Sequence, residues 1–242
     1  VKAILDCAAG TGFPALDLAA TAPETYEVRC CDGDRAMLEV FAERAEALGV
    51  PLERVAPRRW SSVGRPRGLD ALHLDWMQLD QIGGRFDYIM CRGNSLAYAN
   101  TWTGKRKVSS PVAIETYLVR MADKLRPDGH LHIDAPWSFE LPTINRPVID
   151  GDIGTICEKV TLLDDCREWW LSFKPIDGSP TLSFKRYSSQ LTIGELADAL
   201  DRLGFGETTP FQLTAERPNY GTIIARKPNK LRTGSLLRKW AR

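Results

Sequence analysis

The chain is read as an α/β protein, one large domain whose mostly parallel sheet is covered by helices on both faces. Three observations carry that reading. Short apolar runs of strand character alternate with amphipathic helical segments over roughly the first half of the chain. A length of 242 residues suits one domain with a sizeable core and is marginal for two. After Asp150 the pattern changes to a two-residue period, the mark of antiparallel strands added to the sheet.

Taken in order, KAILDCA (2–8) is the first strand and PALDLAATA (14–22) the first helix. YEVRCCD (26–32) is the second strand, and RAMLEVFAERAEALG (35–49) is an amphipathic helix. GLDALHLDW (68–76) holds a third strand and FDYIMCRG (86–93) a fourth. IETYLVRMADKLRP (114–127) has helical spacing and is expected to stop at Pro127 and Gly129, before the fifth strand GHLHIDAPW (129–137). GTICEKVTLL, EWWLSFKPID and SPTLSFKRYSSQLT then alternate like a meander, with a DGSP turn before the last. The helix IGELADALDRLGF (193–205) and strand candidates around PFQLT and YGTIIARK close the domain.

Residues 1–225 are thus expected to form one domain, with a ligand-binding half at about 1–137 and an antiparallel cover at about 150–191. In open α/β sheets ligands bind at the carboxyl edge of the strands, beside which such a cover would lie. The formal charge of +1 conceals a basic tail, 226–242, with seven Lys/Arg and no acid, against about −6 for the rest. A body of that charge is not a nucleic-acid binder, and the tail is read as solvated or partner-docked. No apolar run is long enough to span a bilayer, so no membrane partner is expected. The six cysteines form no CxxC pair and sit mostly in strand-like runs, which points to reduced, buried thiols and a cytoplasmic setting. The three histidines are scattered; His130 and His132 alternate on one strand, and no metal site is expected.

The chemistry concentrates in VKAILDCAAGTGFPALDLA (1–19). A strand ending in Asp6, a small-residue turn from Ala8 to Gly12 and a helix near Pro14 make a nucleotide-binding turn. Asp32 closes the second strand, where an acid accepts the hydroxyl hydrogens of an adenosine ribose. The GxGxxA spacing also fits a dinucleotide. However, Pro14 removes an N–H that a pyrophosphate would use, and Asp6 puts a negative charge beside it. A cofactor with an ammonium and a sulfonium suits that carboxylate better, so the turn favours S-adenosyl-L-methionine.

ILDCAAGTG resembles the first motif of the class I S-adenosylmethionine-dependent methyltransferases, and CDGDRAML resembles their second. LDWMQLD (74–80) and FDYIMCRGNSLAY (86–98) narrow the likeness to the glycine N-methyltransferases and glycine/sarcosine methyltransferases; LRPDGHLHID and LSFKRYSSQLT extend it. The resemblance implies a Rossmann-like fold with a seven-stranded sheet, and an N-terminal lid segment ahead of Val1. It implies that Asp6, Ala8 and Gly10 line the methionine end of the cofactor and that Asp32 holds the ribose. Met37, Asp75 and Trp76 would address the adenine, and Cys91 and Gly93 would pass beneath the cofactor. Core packing is the competing role for Met37 and Trp76, and helix capping for Asp32, although Asp34 is the better-placed cap.

One departure matters. Where that family has an arginine that grips the substrate carboxylate, this chain has Pro136, followed by Trp137. Losing a charge-assisted contact removes roughly 1.5–3 kcal/mol. Arg92, in CRGNS, either restores a carboxylate contact or pairs with an acid. Asn94 is the first candidate to orient an acceptor, with Ser95, Tyr98, Trp137 and Arg92 behind it. Trp169, Trp170, Phe173, Phe184 and Tyr187 lie on the cover and Trp102 in the loop after GNSLAY; of the Trp-Trp pair, one ring must point to each side of its strand. The expected acceptor is therefore a small molecule larger than glycine, an amine or an aromatic, indole-type compound.

Methyl transfer from a sulfonium asks the protein mainly for alignment and exclusion of water. Glycine or sarcosine remains the alternative acceptor. An NAD-dependent oxidoreductase lacks support because no tyrosine here is followed four residues on by lysine. A non-catalytic cofactor-binding protein would have no use for Asp6, Gly10, Asp32 and GNS together. A homo-oligomer is compatible with the sequence.

Overall fold

The computed structural model describes residues 2–54, 69–99, 111–138, 144–164, 166–212 and 219–229. Trp102 and most of the basic tail lie outside the described residues. The elements are β1 (Lys2–Asp6), α1 (Ala15–Thr21), β2 (Tyr26–Asp32), α2 (Arg35–Ala47), β3 (Leu52–Arg54), β4 (Leu69–His73) and β5 (Phe86–Cys91). They continue with α3 (Pro111–Lys124), β6 (Leu125–Pro136), β7 (Ile144–Gly151), β8 (Gly154–Leu162), β9 (Arg167–Pro175), β10 (Leu182–Ser188), α4 (Ile193–Leu203) and β11 (Tyr220–Arg226). Short 3-10 helices occupy Trp76–Gln81 and Ser95–Tyr98.

Seven strands form the main sheet in the order β3-β4-β2-β1-β5-β6-β11. Every neighbouring pair is parallel except β6 and β11. Its strands are apolar on both faces because both are covered; four of the five residues of β1 are buried. Leu118 and Met121 of α3 and Leu196 and Leu200 of α4 fill one face. Leu16 of α1 and Phe41 of α2 fill the other. Local signals start and stop these helices: Asp34 caps α2 by accepting from the Ala36 amide, and a Thr192–Glu195 capping box opens α4 before Gly204 ends it in the left-handed conformation.

Two expectations shift. Helix α3 ends at Lys124 rather than at Pro127, because β6 begins at Leu125 and takes Pro127 into an irregularity of its pairing with β5. The antiparallel cover is a separate four-stranded sheet, β10-β9-β8-β7, that starts before Asp150, at Ile144. Its first strand was not foreseen. Neither was the three-residue edge strand β3.

Candidate functional site

The carboxyl ends of β1, β2, β5 and β6 gather the titratable groups. After β1 the chain turns tightly: Gly12 N–H donates to the Ala9 carbonyl, and Leu16 N–H donates to Gly12. Gly12 must be glycine, since its φ is +110° and a Cβ would sit 2.3 Å from Leu16 Cδ1. Gly10, at φ +50°, donates its N–H to Asp32 Oδ2 at 2.8 Å, while Asp34 N–H reaches Asp32 Oδ1 at 2.8 Å. Each Asp32 oxygen keeps a lone pair for a further donor. Burial raises the Asp32 carboxyl above the usual range, partly offset by those two amides.

Asp6 is 2% exposed and accepts from Ala8 N–H at 3.1 Å. Burial pushes its carboxyl up to about 7. That is a site starved of positive charge, which a cationic ligand would supply. Ala8 is half-buried beside it. Met37, in the first turn of α2, is 43% exposed, which excludes core packing as its role. Asp75 caps the first 3-10 helix and accepts from Met77 N–H at 2.8 Å. Trp76 is a core residue: its indole donates to the Cys7 carbonyl at 2.6 Å and meets the Tyr117 ring edge-on. It braces the glycine turn from below. The Cys91 thiol is likewise buried in the α3/α4 core, which leaves only main chain at that position to face the crevice.

Beyond β5 the backbone reverses through Gly93 (φ +77°) and Asn94 (φ +57°). Asp134 of β6 holds this reversal by accepting the Asn94 N–H at 2.6 Å. The Asn94 side chain is 3% exposed, yet neither its Oδ1 nor its Nδ2 has a partner. A buried amide left unpaired is costly, and a partner from outside the chain would relieve that cost. Ser95 is occupied otherwise: its hydroxyl donates to the Arg92 carbonyl at 2.5 Å and locks the turn. Arg92 takes the acid-pairing role, with Nε 3.9 Å from Asp134 Oδ2 and its guanidinium 5.9 Å from the Phe13 ring centre. His132, two residues before Asp134, meets the Tyr88 hydroxyl through Nδ1 at 2.9 Å, and burial lowers its pKa to about 4. No group of side chains able to hold a metal occurs among the described residues.

The cover closes over this edge. Ser189 N–H and hydroxyl both donate to the Ala97 carbonyl, which pins the end of β10 to the 3-10 helix that carries Tyr98. Arg186 Nη2 reaches Asp34 Oδ2 at 3.0 Å. Strand pairing aligns Arg186 with Trp169, so both project from the face that meets the start of α2, and Trp170 projects from the other. Trp169 donates to Glu158 Oε1 at 2.7 Å and stands edge-to-face on Phe184. Burial pushes the Tyr98 phenol up, and the Arg167 guanidinium nearby is the leading influence in the other direction. Trp137, 41% exposed, lies over Gly221, where a Cβ would come 3.0 Å from its ring.

Asp134, Arg186 and Arg167 were not singled out from sequence. Asp134 had a signal, two residues from His132 on a strand that ends at the site, but the cover arginines had none.

These features are those of a known fold. An S-adenosylmethionine-dependent methyltransferase from Clostridium acetobutylicum superposes with a TM-score of 0.66 at 16% identity, over 93% of this chain and 83% of that one. The amino pentose methyltransferase of calicheamicin biosynthesis from Micromonospora echinaspora, solved with S-adenosylmethionine bound, gives 0.65 at 16% identity over 94% and 84%. A sugar N-methyltransferase from Streptoalloteichus gives 0.64 at 18% identity over 94% and 81%. The chain has the class I methyltransferase fold. No protein-family model and no curated protein matches the sequence. Within this fold, Asp6, Gly10 and Asp32 lie at the carboxyl ends of β1 and β2, and the Asn94 turn follows the neighbouring strand β5. No helix among the described residues is long and apolar enough to cross a membrane.

Proposed function

We propose that the chain is an S-adenosylmethionine-dependent methyltransferase acting on an amine nitrogen of a small molecule larger than glycine. The observation that carries the reading is the buried, unpartnered Asn94 amide just beyond β5, the strand that pairs with β1, which ends in the buried carboxylate of Asp6. The residues fit the cofactor. Asp6, held near pKa 7 by burial, would meet a cationic methionine end; Asp32 has lone pairs for ribose hydroxyls; exposed Met37 and half-buried Asp75 would meet the adenine.

When bound, S-adenosylmethionine supplies an electrophilic methyl group on a sulfonium. The chain's own residues then align and dehydrate the reaction. Asn94 would accept a hydrogen from the amine through Oδ1 or donate to a neighbouring acceptor oxygen through Nδ2, which points the nitrogen lone pair at the methyl carbon. Asp134 keeps Asn94 in its left-handed conformation, and the cover, pinned at Ser189 and Arg186, excludes water. A neutral amine attacks without a dedicated base, consistent with a site in which His132 is engaged with Tyr88.

Acceptor size is supported by Pro136 in place of the arginine of the glycine enzymes, by the aromatic walls Trp137 and Trp169, and by neighbours described as amino pentose and sugar N-methyltransferases. The test is a titration of S-adenosylmethionine followed by labelled-methyl transfer to glycine, sarcosine, an amino sugar and an aromatic amine. Label on the amino sugar or the aromatic amine, with little on glycine, is the expected result. Strong glycine turnover would overturn the acceptor reading, and absence of cofactor binding would overturn the whole.

A further inference from the structure

The face of the cover that meets the start of α2 is a ladder of opposed residues: Arg167 with Ser188, Trp169 with Arg186, and Leu171 with Phe184. Arg186 is engaged with Asp34, and Trp169 with Glu158. The first rung is different. Arg167 is half-buried, and its guanidinium makes no hydrogen bond or ion pair among the described residues. Ser188, directly opposite on β10, is 1% exposed, and its hydroxyl has no partner.

Two independent deficits thus share one rung. A guanidinium presents five N–H donors in a fixed fork, and a hydroxyl adds one more. The buried Ser188 hydroxyl is unfavourable without a partner, and the half-buried Arg167 guanidinium has its donors free among the described residues and open to the same ligand. The rung also sits at the acceptor end of the cover. Ser189, the next residue, is bonded to Ala97, and Arg167 acts electrostatically on the Tyr98 phenol, four residues beyond Asn94. The turn before Arg167 is braced, since Gln190 Nε2 donates to both the Leu163 and Cys166 carbonyls and Leu163 N–H donates to Cys166. Among the described residues the nearest acid on this face, Glu158, stands two rungs away and is taken by Trp169.

We propose that Arg167 and Ser188 form an oxyanion clamp for the methyl acceptor, which is an amine that also carries a carboxylate or a phosphate. This rests on the methyltransferase reading for the meaning of "acceptor" but not for the anion itself. It also accounts for Pro136: the anion-binding arginine is carried by the cover rather than by the end of β6. An acceptor gripped there holds its anionic group farther from the amine than glycine does. Trp169, on the next rung, supplies a flat wall for the part in between.

The experiment is calorimetric binding to the whole chain, with and without S-adenosylhomocysteine, of two matched pairs. These are 4-(aminomethyl)benzoate against 4-(aminomethyl)benzamide, and glucosamine 6-phosphate against glucosamine. In the wild type at least one anionic probe should bind about 10-fold or more tightly than its neutral partner, as expected for a hydrogen-bonded charge pair. The pair that shows the preference identifies carboxylate or phosphate. R167Q should bring both members of that pair within about 2-fold, R167K should retain part of the preference, and S188A should lose a smaller part. No preference in either pair, or a preference that survives R167Q with the thermal midpoint unchanged, overturns the clamp. A separate titration with S-adenosylmethionine keeps the two readings apart. Cofactor binding without anion preference sinks the clamp alone, and anion preference that tracks Arg167 without cofactor binding sinks the methyltransferase reading alone.

Discussion

Arg186 on the cover and Asp34 at the start of α2 are 152 residues apart in sequence and 3.0 Å apart in space. The pair ties the antiparallel sheet to the turn that follows Asp32. Both side chains are partly exposed, at 30% and 21%, so the bond is a latch more than a source of stability. R186Q should therefore cost less than about 1 kcal/mol in denaturant unfolding, while amide hydrogens of β10 exchange faster. D34A should lose about 1 kcal/mol more than R186Q, because Asp34 also caps α2 through the Ala36 amide. Equal losses would mean that the cap carries nothing.

Asn94 joins two requirements in one residue. Its backbone is left-handed, at φ +57°, and its amide is buried without a partner. N94G keeps the first and removes the second. The expected outcome is a folded protein whose methyl transfer falls about 10- to 100-fold, the size of one or two lost hydrogen bonds in a desolvated site. N94A removes the amide and adds backbone strain, so it should be both less active and less stable than N94G. Steady-state kinetics with circular dichroism separates the two losses. Unchanged kcat/KM in N94G would remove Asn94 from the mechanism.

Asp6 sets a pH dependence with a definite sign. Its folded pKa of about 7 lies above the ordinary value of 3.8. Between those values the native state holds a proton that the unfolded chain has released, so Asp6 makes stability fall as pH rises from about 4 to about 7. A cationic cofactor reverses the preference by favouring the carboxylate. Its affinity should climb through the same window and level off above pH 7, and binding at pH 6 should release a proton. Calorimetry in two buffers of different ionisation enthalpy measures that proton directly. D6N should flatten both profiles; profiles unchanged in D6N would assign the titration to another group.

What was legible in the sequence was local. The glycine turn and the Asp34 cap each involve residues a few positions apart, and each is present. Strand β7 escaped notice because Pro147 interrupts its pattern, which an edge strand paired only to β8 tolerates. The end of α3 was misplaced because Pro127 reads as a helix stop, when β6 had already begun and absorbed it in an irregular pairing. On the site, Asp6, Gly10, Asp32 and Asn94 came from contiguous motifs. Asp134 to Asn94, Ser189 to Ala97 and Arg186 to Asp34 span 40, 92 and 152 residues. No periodicity encodes contacts of that range; the packing of two sheets does. Trp76 shows the same limit in reverse, since a motif position suited to an adenine holds an indole that the core claims for itself.

Gly12 offers a test of the turn that does not involve chemistry. A methyl group at this position would lie 2.3 Å from Leu16 Cδ1 and 3.2 Å from Phe41 Cδ2, at a φ that disfavours any side chain. Leu16 and Phe41 anchor α1 and α2 in one core, so neither yields without disturbing the other. G12A should destabilise by about 2–4 kcal/mol, overpacking and backbone strain combined, and should weaken cofactor binding by displacing Gly10. Urea unfolding gives the first quantity and calorimetry the second. A variant of wild-type stability would show that the turn is looser than its contacts imply.

The Trp169–Trp170 pair decides which face of the cover works on the acceptor. Successive residues of a strand point to opposite sides, and strand pairing sets Trp169 beside Arg186, whose guanidinium reaches Asp34 at the start of α2. Trp169 is also held in place, by its bond to Glu158 and its edge contact with Phe184, so its ring is a fixed surface rather than a mobile one. W169A should raise KM for the acceptor about 10-fold, the worth of one aromatic wall, with little change in cofactor affinity. W170A should leave KM within about 2-fold, because its ring projects from the other face. W169F tests rigidity separately: it keeps an aromatic ring but loses the donor to Glu158, so its KM should fall between wild type and W169A. Acceptor binding should also change the fluorescence of W170F, which retains Trp169, more than that of W169F. The opposite order of effects in the two alanine variants would turn the cover over, placing Trp170, Lys185 and Tyr187 at the site and removing Arg167 and Ser188 from it.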